Sequence, residues 1–548
     1  MKVIAAAPLV LALLAPSAAQ LDPSAVAIAH ICSAEQGFVA GKGPRKIELK
    51  PGMGTGGFPI RTTSAEAQRW FDYGVTLYHA FYHADARLAF DKAVAADPDC
   101  ALCRWGQALS RGATMNFDVE AADTKAGLEM AQKARELSKT DEERALSRAM
   151  VERYKGDRTA ARTEARFAED LLKAVAKDPA NTDIRLIAAH AMMTSGRRGE
   201  DFAGMAVKAK GVIDPIIKAQ PDNTAAIHYY IHATEAAGDP ADALPYAERL
   251  ASLAPEASHL IHMAAHTYIH VGRYEQVAAL NADALDVDTA HARAADAPGV
   301  LGTPDYYPHN LSFGLAGAMM AGDGPLAVKF ADDAKVAFPP GGRANMDYIF
   351  PRMMSAYGRY APARALQAPE PKADDTNGLI LWRYARGEAL AGKGDAKAVL
   401  EESRQIGAVL DRDPKVGKNA NLSSIGRIAQ NVLEGRAWML DGKPADAAKA
   451  FADAARTQEK AKWGMDPPPW WYPVRRSLAA AYLKAGRNAD ALRESNASLS
   501  AWPADALALK VRALAEQKLG QEAASRTDEA AAKSAWHGVL SAVPIEMI

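Results

Sequence analysis

Gly74, Ala86, Phe90 and Ala93 recur at the same offsets as Gly435, Ala447, Phe451 and Ala454, 361 residues further along the chain. Small residues and an aromatic kept in one frame over that distance imply a repeated two-helix unit. The small residues let antiparallel helices touch, and the ring fills the gap behind them. Prolines mark where units end: Pro98, Pro179, Pro221, Pro255, Pro339 and Pro503 each stand where a second helix has to stop. Pro221 and Pro255 are 34 residues apart.

A period of 34 residues is that of tetratricopeptide hairpins. A chain of 548 residues is too long for one hydrophobic core and has to be several domains or an array. The expected fold is therefore all-α, a right-handed α-solenoid of roughly a dozen helical pairs. Aromatics make up only 7% of the chain and no long run alternates apolar with polar, as half-buried strands would. The formal charge of -1 lacks the cationic excess that neutralises phosphates, so nucleic acid is not the expected partner.

Lys2, an apolar run from Val3 to Leu14, and then Pro16, Ser17, Ala18 and Ala19 form one export signal. Residues 1–19 are expected to be removed, the mature chain beginning near Gln20 in the periplasm or outside the cell. No later stretch reaches the roughly 20 apolar residues a membrane span needs. Residues 20–63 lack a helical pattern and carry Gly52, Gly54, Gly56 and Gly57. They read as a flexible lead-in, because the glycines lack the G-K-[ST] of a phosphate loop and any preceding strand. Two solenoid segments are expected, 64–360 and 377–548, joined by an Ala-, Pro- and charge-rich linker at 361–376. The prolines between Trp463 and Pro473 exclude a helix there and predict a loop packed by its tryptophans.

Histidine carries the strongest chemical signal, since eight of the 13 lie between His228 and His309. His228 and His232 are one helical turn apart, with Glu235 next on the same face. His259, His262, His266 and His270 form a second stripe. His262 follows His228, and His266 follows His232, by one 34-residue period, which puts both pairs at equivalent places on adjacent first helices. Such helices pack about 10 Å apart, a gap one ion between imidazoles can bridge. His309 opens the next unit, and His190 falls at the place of His232 and His266.

Neutral imidazoles one turn apart converge on a transition metal, and an all-nitrogen set suits zinc or copper better than calcium or magnesium. The expected ligands are His228, His232, His259, His262, His266 and His309 on the wall of the inner groove, with the two equivalent pairs sharing one ion. Glu235 has two chemical roles open to it, orienting a ligand histidine or acting as a general base beside metal-bound water. It could equally be an ordinary solvated helix residue. The rival reading of the groove is a scaffold that holds a peptide, protein partner or small molecule without metal or catalysis. Cys100 and Cys103 open a helix after Pro98 and suggest a structural disulfide or buried thiols, with Cys32 able to pair with either. They lie several units before the histidines, so no part in the groove's chemistry is expected of them.

Several longer motifs carry a resemblance: F-P-I-R-T-T-S-A-E-A-Q-R-W-F-D-Y-G from Phe58, D-P-D-C-A-L-C-R-W-G from Asp97, H-Y-Y-I-H-A-T-E from His228, H-L-I-H-M-A-A-H from His259, P-H-N from Pro308 and D-P-P-P-W-W-Y-P-V-R from Asp466. On these the chain resembles, nearly end to end, a bacterial family of exported tetratricopeptide proteins. The resemblance implies the fold and no particular activity. His228, His232, His259, His262, His266 and His309 match the family pattern. Ala264, His270 and Ser312 depart from it, standing where relatives have proline, arginine and histidine. Arg111–Asn116 reads R-G-A-T-M-N where relatives have L-G-P-N-I-N, so any role of that loop is expected to differ here.

Overall fold

The computed structural model describes residues 47–156, 159–199, 201–294, 306–337, 346–413, 416, 419–463 and 466–548. Among these no strand occurs, and twenty-four α-helices run in pairs. The first units are α1 (Ala65–His79) with α2 (His83–Ala96), α3 (Ala101–Leu109) with α4 (Ala121–Leu137), and α5 (Asp141–Tyr154) with α6 (Ala160–Ala174). The middle of the chain holds α7 (Thr182–Arg198), α8 (Phe202–Ala219), α9 (Thr224–Ala237), α10 (Leu244–Leu253), α11 (Ser258–His270), α12 (Tyr274–Ala294), α13 (Tyr307–Ala321) and α14 (Gly324–Ala337). There follow α15 (Met346–Tyr360), α16 (Pro362–Gln367), α17 (Thr376–Gly392), α18 (Ala396–Arg412), α19 (Ala420–Leu440) and α20 (Pro444–Ala461). The last four are α21 (Arg475–Lys484), α22 (Asn488–Ala501), α23 (Ala506–Lys518) and α24 (Glu522–Ser534).

Consecutive helices pack against each other, and the odd-numbered helices also touch one another from α7 through α9 and α11 to α13. That is the connectivity of an α-solenoid of tetratricopeptide-type hairpins. The repeated residues do what their spacing predicts: a Cβ on Gly74 would meet the Phe90 ring at 2.7 Å, and one on Gly435 would meet Phe451 at 2.6 Å. Side-chain caps start the helices. Ser64, Asn181, Asn223, Asp375, Asp395 and Asn419 each accept a hydrogen bond from the backbone N–H three residues on.

Two expectations need correction. The glycine-rich lead-in is pinned where it is described: the Thr55 amide donates to Thr224 Oγ1 at 2.8 Å, Thr224 N–H donates back to Thr55 Oγ1 at 3.0 Å, and Glu256 N–H donates to the Gly52 carbonyl at 3.0 Å. Its glycines serve close backbone approach, Gly54 lying at φ 112° against Thr224. Likewise the expected linker at 361–376 contains α16 and is held from both sides. Arg364 pairs with Asp332 of α14, and Trp382 of α17 donates to the Ala368 carbonyl.

The loop before α21 buries Trp470 and Trp471 and delivers the carbonyls of Pro467 and Pro468 to the buried guanidinium of Arg352, at 2.6 and 2.7 Å. Among the described residues no helix is long and apolar enough to cross a membrane. The export signal, Cys32 and Pro339 lie outside the described residues.

Candidate metal centre

Helices α9, α11 and α13 are buried on nearly every side: all of Thr224–Ala236 and Ser258–Ile269 is buried. A helix buried all round is normally apolar, yet these carry seven imidazoles, and all but His270 are no more than 7% exposed. The six buried rings stand as two groups. His228 and His232 of α9 meet His259 of α11, and His262 and His266 of α11 meet His309 of α13, each group offering three ligand atoms within 4.8 Å of one another. The construction is the same twice: a pair one turn apart on one helix, completed by a histidine near the start of the next unit's first helix.

Outer partners fix three of the rings. The Nδ1–H of His228 donates to the His79 carbonyl at 2.6 Å, that of His262 to Asn281 Oδ1 at 2.7 Å, and that of His266 to the Glu235 carboxylate at 3.1 Å. A carbonyl or carboxylate oxygen only accepts, so in its neutral form each of these rings turns an Nε2 lone pair inward. His228 Nε2 lies 3.3 Å from His259 Nε2, and His266 Nε2 lies 3.3 Å from His309 Nε2. The Nε2 atoms of His232 and His262 are buried with no protein partner.

Burial pushes His228 down to about 3, although the His79 carbonyl opposes it. Burial first, then the neighbouring imidazoles, hold His232, His259 and His262 well below the ordinary value, as burial and His266 do for His309. Those rings are neutral at physiological pH, the form that coordinates a metal. His266 differs. Burial pulls it down, but the Glu235 charge and hydrogen bond outweigh burial and raise it. Burial raises Glu235 too, yet His266 and His270 bring it to about 2, so it is a carboxylate.

The structure thus brings all six expected histidines together, in a different grouping. The equivalent pairs do not form one four-histidine site; each takes its third neighbour from the adjoining helix. Nor do the rings line an open groove. The α1–α2 turn reaches across to them: the Phe81 ring stacks on His232 and His259, with centroids 5.9 and 5.2 Å apart, and meets His228 edge-on at 4.4 Å. Tyr82 Oη holds the start of α11 by accepting from Ser258 N–H at 2.8 Å. Phe313 packs on His262, His266 and His309 at 4.5–4.9 Å, and Tyr306 on His259 at 4.1 Å.

Early and middle units are therefore in direct contact, although several units separate them along the chain. Cys100 and Cys103 form a disulfide, and the loop after α3 reaches the same region: Asn116 donates to Tyr306 Oη at 3.0 Å. His190 sits outside both groups, bonded through Nδ1 to Tyr78 Oη and stacked on Tyr229. Glu235 is no solvated residue. It is buried and bonds His266 and, at 3.0 Å, Nε2 of the partly exposed His270. Sequence reasoning missed Phe81, the His79 carbonyl, Asn281, Tyr306 and Phe313. For His79 and Phe81 no local pattern signals the contact, since their partners lie some 150 residues away.

Fold and site together define the class: a tetratricopeptide-type α-solenoid whose central first helices enclose two histidine triads. No family model matches the chain, and no curated protein does. Similar solved structures include yeast Tom70, at 13% identity and a TM-score of 0.31 over 85% of this chain and 98% of that one. Another is the human IFIT1 dimer with PPP-AAAA, at 14% identity and 0.30 over 71% and 83%.

Proposed function

We propose that this protein binds transition metal, zinc or copper, with one ion in each histidine triad, and that it works outside the cytoplasm. Export rests on Lys2 and the short apolar run and small-residue site that follow it. Metal binding rests on one observation above the others: Nε2 of His232 and of His262 are buried within the triads without a protein partner. Leaving a buried polar atom unpaired costs about 1–3 kcal/mol. A hydrogen bond between His228 and His259, or between His266 and His309, serves one nitrogen of each ring in those pairs and leaves these two atoms, with Nδ1 of His259 and of His309, unserved. An ion in each triad takes up one nitrogen from each of the six rings, the two orphaned Nε2 atoms included.

Distances agree with this reading. Metal–nitrogen bonds of about 2.0–2.1 Å at tetrahedral angles separate ligand nitrogens by about 3.3–3.4 Å, the separation already present at 3.3 Å in one pair of each triad. Glu235 then acts as the carboxylate that orients His266 and raises its basicity. Three protein ligands leave one position of each ion free for water or a reactant, the pattern of catalytic rather than structural sites.

Single variants test the assignment. His232→Ala and His266→Ala in untagged protein should each lose one of two bound ions, and the double variant both, while helicity by circular dichroism is kept. Unchanged metal content in both single variants would refute the triads as ligands. Protein that takes up neither zinc nor copper while holding a peptide partner would restore the scaffold reading.

A further inference from the structure

The two triads adjoin. His232 faces His266 with ring centroids 5.5 Å apart, and His259 faces His262 at 5.9 Å. Within the triads the corresponding separations run from 4.6 to 5.5 Å. The gap between triads is thus scarcely wider than the spacing inside one. Helix α11 serves both, giving His259 to the first and His262 and His266 to the second, so a single rigid element fixes their spacing.

Charge and access restrict what two adjoining ions can be and do. The six ligands are imidazoles; the Glu235 carboxylate bonds the outer nitrogen of His266, and Asp466, whose carboxyl burial pushes up, acts on the same ring from further off. At a given separation two divalent ions repel each other four times as strongly as two monovalent ones. Six neutral ligands, with one carboxylate bonded to them and a second carboxyl that burial pushes toward its neutral form, therefore favour a monovalent pair, and imidazole is a good ligand for copper. Phe81, Tyr306 and Phe313 wall the site. A charged or bulky reactant would lose its hydration to enter, whereas a small apolar molecule would not.

Building on the metal reading above, we infer that the triads form one dinuclear copper centre that binds dioxygen between its two copper(I) ions. Each copper gives up one electron and becomes copper(II). Dioxygen takes both electrons and is held as peroxide across the open positions of the two ions. No proton and no further reductant enters, and the reverse transfer releases dioxygen.

The test loads full-length untagged protein with two equivalents of copper(I) under nitrogen and then admits air. Uptake of one dioxygen per two coppers is expected, with a new near-ultraviolet absorption and no electron paramagnetic resonance signal, because the paired copper(II) spins cancel. His259→Ala, which disrupts the first triad alone, should keep one copper and show the signal of an isolated copper(II) after oxidation. Two bound coppers that both give isolated copper(II) signals, without dioxygen uptake, would overturn the dinuclear centre and leave the metal reading standing. Binding of zinc but not copper would do the same. Failure to bind either metal would remove both.

Discussion

Glu235 touches two histidines and, through His266, one triad alone. Carboxylates in that outer position typically contribute 10–100-fold in metal affinity. Glu235→Gln keeps the shape and removes the charge, so the ion proposed for His262, His266 and His309 should bind at least about tenfold more weakly, with the ion proposed for the other triad unaffected. Isothermal titration that resolves the two sites checks this, and equal weakening of both would contradict it. A second residue controls stability against pH. Burial raises Asp72 to about 6, against a hydrogen bond from Gln68 and with the help of Asp183. The folded state then keeps a proton that the unfolded state has released above its lower pKa, so stability falls as pH rises between about 4 and 6. Asp72→Asn should abolish that loss. Denaturant midpoints at pH 4.5 and 7 should differ less in the variant than in the parent, and an equal difference would show that Asp72 does not cause it.

At the scale of the helix, glycine positions separate propensity from packing. Gly211 lies inside α8 on an exposed face, and a methyl added there would have nothing within 4 Å, so Gly211→Ala should stabilise the protein by up to about 1 kcal/mol. Gly435 has the same helical setting, but its Cβ would meet Phe451 at 2.6 Å. Overpacking costs about 1–3 kcal/mol, which exceeds the propensity gain. Gly435→Ala should therefore lower the melting temperature while Gly211→Ala raises it, and a rise in both would show that the ring yields freely. The repeat was legible in the sequence for this reason, because Gly74 and Phe90, or Gly435 and Phe451, meet within one hairpin. The histidine pairs were legible too, being one turn apart on a single helix. Their third partners were not. The third ring comes from the first helix of the next unit, and for the first triad it is His259, a turn before His262, which holds the equivalent place to His228. Repeat period alone fixes equivalence between helices and not how far one is offset along its neighbour.

Across the whole molecule, units far apart in sequence cover the central helices. Phe81, which adopts a left-handed φ of 63°, lies against α9 and α11, and such a conformation costs a non-glycine residue on the order of 1–3 kcal/mol. At the other side of the chain, His537 N–H donates to the Ala321 carbonyl at 2.8 Å, and the Trp536 ring lies over Gly322. These contacts turn the expected groove wall into an interior, and a buried polar cluster needs partners that a solvated one does not. That change moves the histidines from candidates for a peptide groove to candidates for an enclosed metal centre. A buried ion pair joins α5 to α6: the Arg153 and Glu164 side chains are each 3% exposed and 2.8 Å apart. Arg153→Met strands the carboxylate and should cost about 3–5 kcal/mol in chemical denaturation; a loss under about 1 kcal/mol would mean that water reaches Glu164. The most direct measurement of the central claim is the metal content of untagged protein equilibrated with zinc or copper near neutral pH and then freed of loose metal by gel filtration. The two triads predict a plateau of two ions per chain. A plateau at one would restore a single shared site, and metal-free protein would contradict the account.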